Sequence, residues 1–285
     1  MNSDPNLSGG RVATPEERHF ALMGIVNVTP DSFSDGGRHF ELEAAVAHGL
    51  ALEAEGATIL DVGGESTRPG ADPVEAEEEA RRVVPVIEGL RAAGVRARIS
   101  VDTMKSEVAR RALAAGATLV NDVTALRVAP ELAELTAASG AELCLMHMRT
   151  PPNLPPLPAR YTDVVSDVKS FLEERMAFAV AHGVAEEKII LDPGFGGGSF
   201  GKDTAQNLEL LRRLPELVAL GRPILVGTSR KGFLGELTGR GVEERLSATV
   251  ASNVIAYQHG ATIFRVHEVA PVMDALRVTA ATFPQ

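Results

Sequence analysis

The phrase Gly-Ala-Thr occurs at 56–58, 116–118 and 260–262, and each time a short apolar run follows: Ile59-Leu60-Asp61, Leu119-Val120-Asn121 and Ile263-Phe264-Arg265. A shortened copy, Gly140-Ala141, leads into Leu143-Cys144-Leu145. Each glycine closes an alanine-rich, helix-like stretch, where a left-handed cap is wanted and glycine supplies it at least cost. Each apolar run is too short for a helix and reads as a buried strand. The repeating unit is therefore helix, glycine turn, strand, polar residue.

Carried along the chain, this unit predicts strands near 20–26, 58–61, 97–101, 117–120, 141–146, 188–191, 223–227 and 262–266. Helical patterns fall near 40–55, 74–92, 105–115, 130–138, 162–182, 204–219, 243–259 and 268–281. Strands that alternate with helices pair in parallel through right-handed crossovers. Eight such units in 285 residues favour a single (β/α)8 TIM barrel over an open sheet, with the active site at the C-terminal ends of the strands. Residues 18–285 are expected to be this one domain, and residues 1–17 a loose, polar tail. The proline-rich run Pro151 to Pro158 reads as a loop inside the domain.

Composition narrows the class. The net charge of −10 argues against nucleic acid as the main partner. No apolar run approaches the ~20 residues that span a bilayer, so no membrane partner is expected. One cysteine, Cys144, allows no internal disulfide; inside an apolar strand it reads as a buried structural thiol. With no recognisable leader, the cytoplasm is the expected compartment. The acidic run Glu75, Glu77, Glu78, Glu79 reads as a solvated helix face in a first turn.

The predicted strand ends carry Asn27, Asp61, Asp102, Asn121, His147, Asp192, Ser229-Arg230-Lys231 and Arg265-Val266-His267. Asp and Asn also form turns, which accounts for any one of them. The set is better evidence, because eight ends converge on one mouth. Loops after strands seven and eight of such barrels often bind phosphate, and there Arg offers a planar clamp and Lys a mobile charge. Gly196–Lys202 matches the first part of a P-loop, but Asp203 stands where Ser or Thr must hold magnesium. Its GxGxxG spacing follows the wrong strand, so a flexible glycine-rich loop is expected. His19, His39, His48, His182 and His259 have no clustered partners, and no His/Cys metal spacing is present.

The long motifs Met23–Gly37 (MGIVNVTPDSFSDGG) and Asp61–Gly70 (DVGGESTRPG) are followed in order by Ser100–Thr103, Asn121–Val123, Leu145–Met148, Asp192–Gly196, Thr228–Lys231 and Arg265–His267. In this the chain resembles the dihydropteroate synthases, a pterin-binding barrel family. The resemblance implies a transferase of folate biosynthesis that condenses 6-hydroxymethyl-7,8-dihydropterin pyrophosphate with p-aminobenzoate. The products are 7,8-dihydropteroate and pyrophosphate. By the same resemblance Asp192 accepts the pterin's paired N–H groups, Asp102 and Asn121 meet its other edge, and Lys231 donates to a ring acceptor. Arg265 and His267 stabilise the leaving pyrophosphate with a Mg2+ ion bound to Asn27. Met148 and Thr67 belong to the substrate-binding set, with Pro69 beside the aminobenzoate. Asp35, or Asp31, faces the developing cation and Arg68 the anions, so that Asp35, Arg68 and Lys231 form the catalytic set. Loops 29–39 and 64–72 are implied lids. A homodimer and inhibition by sulfonamides, which mimic aminobenzoate, are implied as well.

Two departures from the family pattern stand out. Gly197, Gly198 and Ser199 are inserted in a loop that is usually DPGFGFGK, which leaves open whether Phe195 or Phe200 plays the aromatic part. Gly232 occupies a place where the family often has Ser. Two rivals remain: a pterin methyltransferase, which would not need the clamp of Arg265 and His267, and a non-catalytic pterin-binding paralogue.

Overall fold

Strand segments apolar on both faces can be buried only in a sheet covered on both sides. In the computed structural model, which describes residues 20–28, 37–65, 73–150 and 161–283, the apolar runs become such a sheet. Its strands are β1 (Ala21–Asn27), β2 (Ile59–Gly63), β3 (Arg98–Asp102), β4 (Leu119–Asp122), β5 (Glu142–Met146), β6 (Ile189–Asp192), β7 (Leu225–Val226) and β8 (Ile263–Val266). All ladders are parallel, in the order β6-β5-β4-β3-β2-β1-β8-β7. A parallel bridge between Leu191 and Ile224 joins the two edges and closes the barrel.

The helices are α1 (Gly37–Ala54), α2 (Ala76–Ala92), α3 (Ser106–Ala114), α4 (Leu132–Ser139), α5 (Val164–Ala181), α6 (Thr204–Arg212), α7 (Pro215–Val218), α8 (Gly232–Thr238), α9 (Leu246–Gln258) and α10 (Val269–Thr282). The turn glycines behave as their repeat predicts: Gly56, Gly116, Gly140 and Gly260 hold φ of 111°, 112°, 68° and 94°. The helix expected over 204–219 is broken at Arg213 and Leu214. Pro215 begins the second piece, since it has no N–H to continue the ladder. The helix expected from 243 begins at Leu246, after a single 3-10 turn at Val242–Glu244.

Pleating sorts the strand residues into two cores. Leu22, Val26, Leu60, Val62, Ile99, Val101, Phe264 and Val266 face the helices in the larger one. Met23, Ile59, Leu119, Cys144, Ile190, Leu225 and Ile263 fill the barrel. Two residues further along, on the same face, the inward positions turn polar: Ile59 gives way to Asp61, Leu119 to Asn121, Ile190 to Asp192 and Ile263 to Arg265. One apolar layer thus forms the floor of a polar mouth. Cys144 is fully buried in that layer, as expected of a structural thiol.

The floor residues are buried, so truncating one should be costly. Ile59→Ala, at a fully buried position, should lower unfolding free energy by about 2–5 kcal/mol. Urea denaturation would measure this, and a loss under about 1 kcal/mol would mean that the layer is loosely packed.

Candidate active site

The inward polar residues bond to one another across strands that are far apart in sequence. Arg265 Nε donates to Asp61 Oδ2 at 2.7 Å and its Nη2 donates to Asp102 Oδ2 at 2.8 Å. Asn121 Nδ2 donates to the same Asp61 oxygen at 3.1 Å. Three buried oxygens on this wall, Asp61 Oδ1, Asn121 Oδ1 and Ser100 Oγ, have no hydrogen-bond partner among the described residues. An unpaired buried acceptor is costly unless a ligand satisfies it. Two of the three, a carboxylate and an amide oxygen, can only accept, so the wall suits a ligand rich in N–H groups.

Asp192 closes β6 on the opposite side. Its Oδ1 accepts the Gly194 N–H at 2.7 Å, and its carbonyl accepts the His147 N–H at 2.8 Å. Gly194 holds φ +68°, and a Cβ there would stand 1.9 Å from the His147 carbonyl oxygen, so no other residue fits this turn. Lys231 caps α8 and places its Nζ 3.8 Å from the Phe200 ring centroid. Behind them Ser229 Oγ bonds His267 Nδ1 at 2.9 Å and accepts the His267 N–H at 3.2 Å, which fixes the imidazole.

Burial sets the charges of this mouth. It pushes the Asp102 carboxyl up to about 7, against the pull of Arg265, and Asp192 up to about 6. It draws Lys231 down to about 8, and the nearby Arg265 adds to the fall. Arg265 is itself raised, because Asp61 and Asp102 outweigh its desolvation. Acids shifted upward and an ammonium shifted downward beside a fixed guanidinium are the pattern of a functional cleft rather than a solvated surface.

Asp102, Asn121, Asp192, Lys231, Arg265 and His267 therefore lie at the C-terminal ends of the strands, as expected. Asn27 ends β1 opposite Gly63. Met148 packs with Val123, Met146 and Phe200 as an apolar wall. Phe195 is buried and stacks on Phe233 with ring centroids 6.4 Å apart, so Phe200 is the aromatic residue at the mouth. Arg230 is not part of the cluster: it turns to Glu268 and Glu243, with its backbone at φ +57°. Asp31, Asp35, Thr67, Arg68 and Pro69 lie outside the described residues.

Some readings need correction. Glu79 is not on a solvated face; it is buried and accepts from Lys105, as does Glu65. The pairing was invisible because Lys105 is 26 residues away in sequence. The Gly196–Lys202 loop is tied down rather than flexible, with Thr150 N–H donating to Ser199 O at 3.2 Å and Asn207 Oδ1 accepting the Gly196 N–H at 2.8 Å. His48, His182 and His259 each meet a backbone carbonyl, as satisfied residues should. Asp61 carries more of the site than its place in the motif suggested.

Among the described residues no group of three His, Cys, Asp or Glu could hold a metal. Asn27 offers a single neutral oxygen. That donor set suits an ion such as Mg2+, which keeps water and phosphate oxygens as its other ligands.

The profile of the pterin binding enzymes matches residues 23–267. The dihydropteroate synthase of Escherichia coli (strain K12) is 47% identical over 264 residues, covering 93% of this chain and 92% of that protein. A Xanthomonas albilineans dihydropteroate synthase solved with 4-aminobenzoic acid is 52% identical, covers 92% of both chains and superposes with a TM-score of 0.85. The same enzyme solved with 7,8-dihydropteroate is 50% identical, covers 92% of this chain and 93% of that one, and gives a TM-score of 0.82.

The raised Asp192 carboxyl makes a stability prediction. Its folded value, about 6, exceeds the unfolded one of ~3.9, so the folded state prefers the proton and loses stability as pH rises from 4 through 6. Asp192→Asn removes that loss while keeping an acceptor for Gly194. The ligand-free variant should be more stable than wild type at pH 8, on the order of 2 kcal/mol, and close to it near pH 4. Equal urea midpoints at pH 8 would contradict the assignment.

Proposed function

The chain belongs to the pterin binding enzyme family, among the dihydropteroate synthases, and from that membership we propose that it condenses 6-hydroxymethyl-7,8-dihydropterin pyrophosphate with p-aminobenzoate. It is a transferase that forms a carbon–nitrogen bond. The observation that carries the reading is a wall of buried acceptors, Asp61 Oδ1 and Asn121 Oδ1, that have no hydrogen-bond partner among the described residues, opposite the Asp192 carboxylate. A pterin presents amino and ring N–H donors on its edges, and these acceptors can take them. A ring without those groups would leave the acceptors unpaired and be rejected.

In the reaction the methylene C–O bond breaks, pyrophosphate departs with the electron pair, and the electron-rich pterin spreads the cation. The aniline nitrogen then forms the new C–N bond and loses its proton to solvent or the departing anion. No covalent enzyme intermediate is needed. Lys231 and the Arg265 donors not engaged by Asp61 and Asp102 supply positive charge, and His267, fixed by Ser229, faces the same anion. Phe200, Met148 and Lys231 form the side where the second substrate enters. Asp35, Arg68 and Thr67 keep the roles that the family motifs imply. Asn27 would be the protein ligand for Mg2+, which would supply charge neutralisation for the developing pyrophosphate.

The reading extends to assembly and setting. Leu237, Val242, Leu246, Ile255 and Val278 are large apolar residues exposed on or between α8, α9 and α10; exposed apolar side chains there support a homodimer. No helix among the described residues is long and apolar enough to cross a membrane, which is compatible with a cytoplasmic enzyme. A pterin methyltransferase has no pyrophosphate to stabilise and leaves the basic groups of β7 and β8 unexplained.

The deciding assay is pyrophosphate release that requires both substrates and Mg2+. Asn27→Ala should slow turnover at least about tenfold, ~1.4 kcal/mol, and shift the Mg2+ dependence to higher concentration. Full activity in that variant and in a chelator would remove the metal from the scheme.

Gly232, the first residue of α8, has open space where a Cβ would lie. Gly232→Ser should therefore fit and strengthen aminobenzoate binding by about 0.5–1.5 kcal/mol, the net worth of one hydrogen bond. Sulfonamides should compete with aminobenzoate and not with the pterin. Pterin binding without pyrophosphate release would instead identify a non-catalytic paralogue.

A further inference from the structure

The lysine of the failed P-loop match takes no part in the chemistry above, yet it is 3% exposed. Lysines are rarely buried without a structural return. Lys202 Nζ donates to Gly194 O at 2.7 Å and to Phe200 O at 3.2 Å, and it lies 3.0 Å from His147 Nδ1. Burial draws Lys202 down to about 7, so below that pH it is an ammonium with three donors, and here there are three acceptors. Burial, with the charge of Lys202 adding to it, holds His147 well below its ordinary value, so the ring is neutral and its Nδ1 can accept. The ring is itself wedged edge-on against Phe171, with centroids 4.8 Å apart.

The acceptors belong to three parts of the site. Gly194 supplies the N–H behind Asp192. Phe200 ends the 3-10 turn Gly198–Phe200 made by the inserted residues. His147 follows β5. Gly194 has other restraints, the Asp192 bond and its contact with the His147 carbonyl. The turn at Phe200 is three residues longer than the family pattern and rich in glycine, so it would lose the most order without the ammonium.

Resting on the synthase reading, we propose that Lys202 is a positioning residue for the second substrate. By gathering Gly194 O, Phe200 O and His147 Nδ1 on one ammonium it holds the Phe200 ring at the mouth, where that ring meets the aminobenzoate.

The test uses full-length protein with Mg2+. Lys202→Met keeps the length and apolar stem but takes the ammonium from three acceptors, leaving Phe200 O with only the Tyr161 O–H at 3.5 Å. It should raise KM for aminobenzoate by roughly tenfold, as expected for lost hydrogen bonds to a charged group, while pterin affinity by calorimetry stays within about twofold. In a Phe200→Leu background the same substitution should change that KM by less than about twofold, because coupled residues are not additive. Equal weakening toward both substrates, or the full effect retained without Phe200, would overturn the proposal. If Lys202→Met does not fold, His147→Leu removes one acceptor and must give the same split in KM; pterin binding weakened as much as aminobenzoate would again overturn it. Wild-type protein that releases no pyrophosphate would defeat the synthase reading instead, which keeps the two failures distinct.

Discussion

One guanidinium holds the mouth together. Arg265 leaves β8 between Asp61 of β2 and Asp102 of β3, so a single side chain spans three strands of the barrel. Removing either carboxylate would leave a buried charge short of a partner, and removing Arg265 would leave two acids facing each other. The rest of the site is arranged around this pair of bonds. Asn121 is oriented by the Asp61 oxygen that Arg265 also contacts, and the same guanidinium adds to the burial that lowers Lys231.

The ligand-free site is held in an unfavourable state. Among the described residues, buried oxygens of Asp61 and Asn121 have no hydrogen-bond partner, and burial resists the ionisation of Asp102 and Asp192. Such groups cost stability until a complementary ligand meets them. The closed barrel and its apolar floor supply the rigidity that keeps them in place. Selectivity follows from the same fact, since a ligand that leaves these atoms unpaired gains little from binding.

The loop after β6 solves a separate problem. Its inserted glycines lengthen a segment that must still present an aromatic ring at a fixed point. Donation from Thr150 N–H and Lys202 Nζ, and acceptance of the Gly196 N–H by Asn207 Oδ1, constrain it. Phe195 turns inward to Phe233, which leaves Phe200 for the mouth.

The amino-acid sequence by itself determined the repeating unit, the parallel barrel and the end of it that carries the chemistry. Those follow from local rules: glycine at left-handed caps, apolar runs of strand length, and polar residues two positions beyond an inward apolar one. It also marked Asp102, Asn121, Asp192, Lys231, Arg265 and His267, because each lies at or soon after the end of an apolar run. Only the tertiary structure decided which groups are partners. Glu79 turns from a surface acid into a buried partner of Lys105, Arg230 turns away from the site while its neighbour Lys231 enters, and Phe200 rather than Phe195 faces the mouth. Asp61 is joined to Arg265 across 204 residues. Burial and charge pairing depend on neighbours brought together by barrel closure, and no local pattern along the chain encodes those distances.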